Sequence, residues 1–404
     1  MYSLNPYLNT YGCHDITEED IQAVVKVLKG EQLTGGQTVP DFEERVTQIV
    51  GARYAVACSN GTTALHLASQ AAGLKPGDFV IVPSMTFVAT ANAARYCGTE
   101  VIFSDVSPEN GLMEPKHFEE ALERCPKTPV AVYPVHLTGQ PVNLLEIKKI
   151  ADQYKIKIIE DGCHAFGTDY QDHNGIHTIG DGYYSDFMAF SFHPVKNIAT
   201  GEGGLITTNN HDHYEVMKCL RSHGIIREPH LFQRKEAACD QNGHGNPWYY
   251  EMIDIGYNYR LTDIQAALGI SQLTRLSIFK EHRSNLKKAY DTLLAPYHEY
   301  VRPIKAVPNA NPCWHLFSIL IDFHALNISR SEVMNALSAR GIGSQVHYIP
   351  VYLQPYYASR SQTKNLPGAM AYYDRTLSLP LHMKMSQEDV AIVVKNLLEV
   401  LTIK

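Results

Sequence analysis

Tyr54-Ala-Val-Ala-Cys58, continuing through Ser59-Asn-Gly-Thr-Thr63 into Ala64-Leu-His-Leu-Ala-Ser-Gln-Ala-Ala72, is the stretch on which the fold turns. A strand-like run passes through a glycine turn rich in hydroxyls and enters a helical segment. Runs rich in Val, Ile, Phe and Tyr recur at 79 to 83, 101 to 103, 130 to 135, 156 to 160, 187 to 192 and 204 to 208, with helix-like segments between several of them. Strands alternating with helices predict an α/β fold whose mainly parallel sheet is covered on both faces. Such sheets bind ligands outside the carboxyl ends of their strands.

From Thr262-Asp-Ile-Gln-Ala-Ala-Leu-Gly269 a helical stretch is expected to continue through Leu273-Thr-Arg-Leu-Ser-Ile-Phe279 and to link two domains. Beyond it, Leu316-Phe-Ser-Ile-Leu-Ile321 predicts a strand. Ser329-Arg-Ser-Glu332 is a capping box opening a helix that Gly341 closes, and a last helix is expected from about Gln387 to Leu401. The division is therefore residues 1–265 as a large domain and 266–404 as a linker helix with a smaller α/β domain. Whether the N-terminal stretch to about residue 30 packs with the small domain stays open.

The chain has 404 residues, 45% of them apolar, enough for two or three domain-sized units. Its formal charge of -7 argues against nucleic acid or an acidic membrane surface as partner. Eight cysteines without C-x-x-C spacing suggest buried small residues in a reducing compartment, and no metal site is expected. No leader pattern opens the chain and no apolar run approaches the ~20 residues of a membrane span, so the cytoplasm is the expected location.

The chemistry is expected where two stretches meet. Lys155-Ile-Lys-Ile-Ile-Glu-Asp161 is an apolar strand ending in an acid, and Ser191-Phe-His-Pro-Val-Lys196-Asn-Ile-Ala-Thr-Gly-Glu-Gly-Gly204 places an amine on a loop just beyond another strand. Taken singly, Lys196 reads as a surface charge and Asp161 as a helix cap. Together they match the needs of pyridoxal phosphate chemistry. An amine condenses with the aldehyde, and a carboxylate keeps the pyridine nitrogen protonated. A glycine turn at a helix N-terminus, as at Ser59 to Thr63, offers free N–H groups to a phosphate, although for this motif standing alone a plain N-cap is the favoured reading. Phe87 is expected at the same sheet edge as Asp161, where its face could stack on a ring. His164 is within reach of that ring if the chain turns locally, and the Ser191 hydroxyl can bond a phosphate. A dinucleotide fold would require G-x-G-x-x-G in the first turn, and no Walker motif occurs.

These residues resemble the DegT-type sugar-nucleotide aminotransferases of the aspartate aminotransferase-like fold, pyridoxal phosphate fold type I. The similarity is carried by Ser59 to His66, Thr86-Phe-Val-Ala-Thr-Ala-Asn92, Pro134-Val-His-Leu-Thr-Gly-Gln140, Glu160-Asp-Gly-Cys-His-Ala165, Ser191 to Gly204 and Gly256-Tyr-Asn-Tyr-Arg-Leu-Thr-Asp263. Pro247 to Met252 and Gln345 to Tyr357 are similar to one branch, the transaminases of pseudaminic acid biosynthesis. The resemblance implies Lys196 as the covalent amine, Asp161 at the pyridinium nitrogen and His164 beside the phenolic oxygen. It further implies Gly61, Thr62 and Ser191 at the phosphate, Phe87 against the ring, and Asn258 reaching the cofactor of a partner subunit in a homodimer with shared active sites. The implied substrates are a UDP-linked 4-keto-6-deoxy sugar and L-glutamate as amino donor. Arg227, Arg260, His347 and Tyr348 are the candidates for the substrate's side of the site. The chain departs from the family pattern at Tyr11-Gly-Cys-His14 and Leu33-Thr-Gly-Gly-Gln37, near the sugar-nucleotide side.

Two other functions fit the same fold. A sugar dehydratase of this family carries His where this chain has Lys196, and a non-catalytic regulator would not need the Lys196 and Asp161 pair.

Overall fold

The computed structural model describes residues 5–360 and 365–403. Its centre is a seven-stranded sheet in the order Tyr54–Cys58, Gly204–Thr208, Phe187–Ser191, Lys157–Asp161, Ala131–Val132, Phe79–Pro83 and Glu100–Ser104. Gly204–Thr208 runs antiparallel to both its neighbours, and the remaining neighbouring pairs are parallel. Because helices cover both faces, the inner strands read as continuous apolar runs. Val80, Ile81 and Val82 are all fully buried, each contributing on the order of 1.5–3 kcal/mol by leaving water.

The run at 130 to 135 forms less strand than its composition suggests. Only Ala131–Val132 is laddered, because Pro134 has no N–H to donate. The Pro134 carbonyl still accepts from the Asp161 N–H at 2.8 Å, and Val135 makes an isolated bridge to Asp161. Pro134 thus ends the ladder while fixing the end of the Asp161 strand.

The expected continuous helix from 262 to 279 is two helices, Asp263–Leu273 and Leu276–Leu294. At the break Thr274 turns its hydroxyl onto the Ser271 carbonyl at 2.6 Å, and Arg275 leaves helical geometry. The Arg275 guanidinium bonds Asp15 and the buried Asp20. These contacts tie the break to the N-terminal helix Glu18–Leu28.

Val301–Pro303, Phe317–Ile321 and Thr376–Leu379 form a second, antiparallel sheet. The Ser329 and Glu332 capping box opens the helix Arg330–Ala339, Gly341 follows it at a φ of 73°, and Gln387–Val400 is the last helix. Residues near the N-terminus dock here. Asn5 donates to the Lys384 carbonyl and to Asp389, the Gly343 N–H donates to Leu8, and the Leu381 N–H donates to Tyr11. A single apolar core runs through both sheets.

Candidate active site

The helix Gly61–Ala71 begins at the carboxyl end of Tyr54–Cys58. Asn60 caps it, its Oδ1 accepting from the Thr63 N–H at 2.9 Å while the Asn60 N–H donates to Thr63 Oγ1 at 3.1 Å. This reciprocal cap satisfies its own groups and leaves the Gly61 and Thr62 N–H groups without a partner among the described residues. The plain N-cap and the anion cradle are therefore one structure. The helix end adds partial positive charge at that point. A side chain at Gly61 would put its Cβ 2.8 Å from Ser191 Cβ and 3.2 Å from Cys163 Sγ, so only glycine lets the Ser191 strand end close against the helix.

Asp161 ends the strand Lys157–Asp161 and is buried. Thr90 Oγ1 donates to its Oδ2 at 2.7 Å, and the Cys163 N–H donates to Oδ1 at 3.1 Å. Thr90 belongs to the helix Val88–Tyr96, which starts immediately after Phe87. Its own oxygen lies 2.7 Å from Thr86 Oγ1. Since a hydroxyl has one proton and a carboxylate is the stronger acceptor, the order is Thr86 to Thr90 to Asp161.

Lys196 follows the strand Phe187–Ser191 on a turn closed by its N–H to the His193 carbonyl at 2.8 Å. Burial lowers its pKa from the ordinary lysine range, while Cys163 and Asp161 oppose that shift. The Cys163 thiol between them is pushed well up by burial and stays protonated.

Opposite these groups, the segment 345–349 brings His347 and Tyr348 over the site. His347 Nδ1 lies 2.9 Å from Ser378 Oγ, and burial together with Lys196 pushes its pKa down to about 3. His164 is also held well below the usual imidazole range, first by burial and then by Lys196 and His347. Its Nδ1 accepts from the Thr138 N–H at 3.3 Å, and its Nε2 lies 3.0 Å from the Tyr348 hydroxyl.

Gly61, Thr62, Phe87, Asp161, His164, Ser191, Lys196, His347 and Tyr348 thus line one cavity of about 960 Å³. That volume is at the upper end for a small-molecule site. Phe87 keeps 56% of its surface exposed, so its ring is available to a ligand.

Asn258, Arg227 and Arg260 do not line the cavity of their own chain. Arg227 lies over the Tyr250 ring at 5.5 Å, and Asn258 sits on the exposed side of a short extended stretch. Lys196 is the only Lys or Arg among the described residues that line the cavity.

Sequence reasoning did not find Thr90, Tyr11, Tyr259, Glu202 or Gln345. All but Thr90 line the cavity, and Thr90 instead bonds Asp161. The four-residue spacing from Thr86 to Thr90 was the available signal, since it aligns two hydroxyls at a helix start.

The donor set fits pyridoxal phosphate: unpartnered N–H groups at a helix end for an anion, a doubly bonded carboxylate for a ring nitrogen, and an amine with a lowered pKa for the aldehyde. Comparison with known proteins agrees. The model of the DegT/DnrJ/EryC1/StrS aminotransferase family matches residues 14–398. The spore coat polysaccharide biosynthesis protein SpsC of Bacillus subtilis is 36% identical over 93% of this chain and 92% of its own. The UDP-4-amino-4,6-dideoxy-N-acetyl-beta-L-altrosamine transaminase of Campylobacter jejuni is 35% identical over 97% of each. Among solved structures, Helicobacter pylori PseC, an aminotransferase involved in the biosynthesis of pseudoaminic acid, superposes with a TM-score of 0.87 at 27% identity. That match covers 97% of this chain and 99% of PseC.

Proposed function

Because the chain belongs to the DegT/DnrJ/EryC1/StrS aminotransferase family, we propose that it moves an amino group from L-glutamate to carbon 4 of a UDP-linked 4-keto-6-deoxy-N-acetylhexosamine, in the pseudaminic acid branch. The chain is a pyridoxal phosphate-dependent sugar aminotransferase. The observation that carries the finer reading is the enclosure of Lys196, Asp161 and the free helix end in one cavity, joined to the likeness to the Campylobacter transaminase along nearly the whole length.

When bound, pyridoxal phosphate supplies an electron sink and carries the amino group between donor and acceptor. The chain's own residues then have separate tasks. The Gly61 and Thr62 N–H groups and the Ser191 hydroxyl hold the phosphate. Phe87 covers the ring face, and Asp161, with its two donors, presents a carboxylate to the ring nitrogen. Lys196 moves the proton at its Nζ, and its burial raises the fraction that is neutral and able to accept one. His347 and Tyr348 face the sugar, Asn258 acts from a second subunit, and Arg227 and Arg260 are the candidates for the pyrophosphate.

A second substrate, another nucleotide-linked 4-keto-6-deoxy sugar, is favoured by one observation. SpsC is as similar to this chain as the Campylobacter enzyme is, and the departures at Cys13-His14 and Leu33 to Gln37 fall in regions that the family resemblance puts near the sugar-nucleotide side. The dehydratase reading would need His at position 196, where this chain has Lys.

The test is a specificity panel with L-glutamate as donor. The UDP-linked N-acetylated keto sugar should be aminated with a kcat/KM at least about tenfold above that for the dTDP-linked sugar lacking the acetamido group, a difference of ~1.4 kcal/mol. Lys196→Ala should abolish turnover of both. Equal or better use of the dTDP sugar would move the enzyme to the second substrate while leaving its chemistry intact.

A further inference from the structure

The helix Gly61–Ala71 has a second side. His66 and Gln70 stand one turn apart on it, and neither lines the cavity. The Gln70 amide nitrogen can only donate, and it serves two acceptors, the Tyr257 hydroxyl at 3.1 Å and His66 Nε2 at 3.3 Å. His66 is buried, and burial pushes its pKa down to about 4, so the ring is neutral and carries its proton on Nδ1. That Nδ1–H donates to the Tyr259 hydroxyl at 3.2 Å. The helix thus grips both tyrosines, one through Gln70 and the other through His66.

The stretch that carries these tyrosines is fixed along its backbone as well. The Tyr257 and Tyr259 N–H groups donate to the Leu220 and Arg221 carbonyls at 2.7 and 3.0 Å, and the Tyr257 carbonyl accepts from the His223 N–H at 2.8 Å. The Tyr259 carbonyl accepts at 2.8 Å from the N–H of Ser59, the residue before the Asn60 cap. In an extended chain residues two apart face the same way. With the rings of Tyr257 and Tyr259 tied to the helix, Asn258 between them is turned outward, and it is exposed.

We propose that His66 and Gln70 are positioning residues for the cofactor site of the second subunit. By holding the orientation of the stretch 257–259 they aim Asn258 across the dimer interface. The helix whose first N–H groups hold the phosphate in one subunit then also braces the residue given to the other. The inference rests on the proposed shared site and adds the brace that makes it work. Its consequence is specific: lesion and loss lie in different chains. A contact that merely stabilised its own helix would put both in the same chain.

Hybrid dimers of the full-length chain, each pairing a parent chain with a variant chain and purified through two different tags, separate these outcomes. Pyridoxal phosphate is varied, borohydride fixes it onto Lys196, and the masses of the two chains report the occupancy of each site. In the hybrid with Gln70→Leu, the parent chain should bind the cofactor about three- to tenfold more weakly, while the variant chain keeps the parent affinity. Tyr257→Phe removes only the hydroxyl that Gln70 reaches and leaves the helix untouched. It should also put the loss on the parent chain, and it decides the matter if Gln70→Leu does not fold. Loss confined to the variant chain, loss shared equally, or loss in neither chain overturns the proposal. The hybrid with Asn258→Ala tests the reading beneath it. Weaker binding in its parent chain supports the shared site, so that failure of the Gln70 and Tyr257 hybrids alone would strike only the brace. Weaker binding in the Asn258→Ala chain itself would overturn the shared site and the brace with it.

Discussion

At the scale of single residues, the site is built by partners that limit what each functional group can do. Asp161 has one oxygen occupied by Thr90 and the other by the Cys163 N–H, so it is oriented by two neutral donors. Asp161→Asn should lower kcat about a thousandfold or more, ~4 kcal/mol of barrier, since an amide cannot hold a protonated ring nitrogen. Thr90→Val, which removes one donor and leaves the carboxylate, should cost about tenfold or less. Steady-state rates on both variants, with melting curves to show that they fold, check the pair. A rate for Asp161→Asn within about tenfold of the parent would mean that another acid serves the ring.

At the scale of elements, the sheet was legible because buried parallel strands must be apolar on both faces. Phe79–Pro83 and Phe187–Ser191 could not be polar and stay where they are. The Asp161 and Lys196 stretches were legible because a charged residue at the end of an apolar strand is costly unless it has work at that edge. Two failures have different causes. Pro134 ends its ladder because it has no N–H to donate, and at Thr274 a side-chain hydroxyl bonds the Ser271 carbonyl where the helix breaks. The Tyr348 and His164 contact was hidden for another reason. The residues are 184 positions apart, and only the docking of segment 345–349 brings them together. The helix Gly61–Ala71 gives an element-scale prediction. Gly61→Ala should push the Ser191 strand end and the helix start apart, at a cost of about 1–3 kcal/mol. Because the displaced groups are the proposed phosphate holders, the variant should retain pyridoxal phosphate more weakly on dialysis, by about tenfold in Kd. Unchanged retention would place the phosphate elsewhere.

At the scale of the whole molecule, the cavity of one chain lacks what a UDP-linked substrate demands. A pyrophosphate carries two negative charges, yet Lys196 is the only Lys or Arg among the described residues lining the cavity. Arg227, Asn258 and Arg260 lie outside it. Tyr257 and Tyr259 stack at 4.7 Å with their rings nearly parallel, and Tyr259 lines the cavity. Along an extended stretch alternate side chains face opposite ways, so Asn258 between them faces away from its own site. Nearby Trp248 and Ile255 leave more than 70% of their surfaces exposed, apolar area that a second subunit would cover. The proposed two-fold dimer, in which each subunit would complete the other's site, would account for both features. It makes a countable prediction when Lys196→Ala and Asn258→Ala subunits are mixed in equal amounts and allowed to exchange. Half of the dimers are then hybrids, each with one doubly damaged site and one intact site. Activity should therefore rise to about a quarter of the parent enzyme's, above either variant alone. No recovery, with exchange shown by differently tagged subunits, would return Asn258 to its own chain's site and require the cations for the pyrophosphate to be sought within a single subunit.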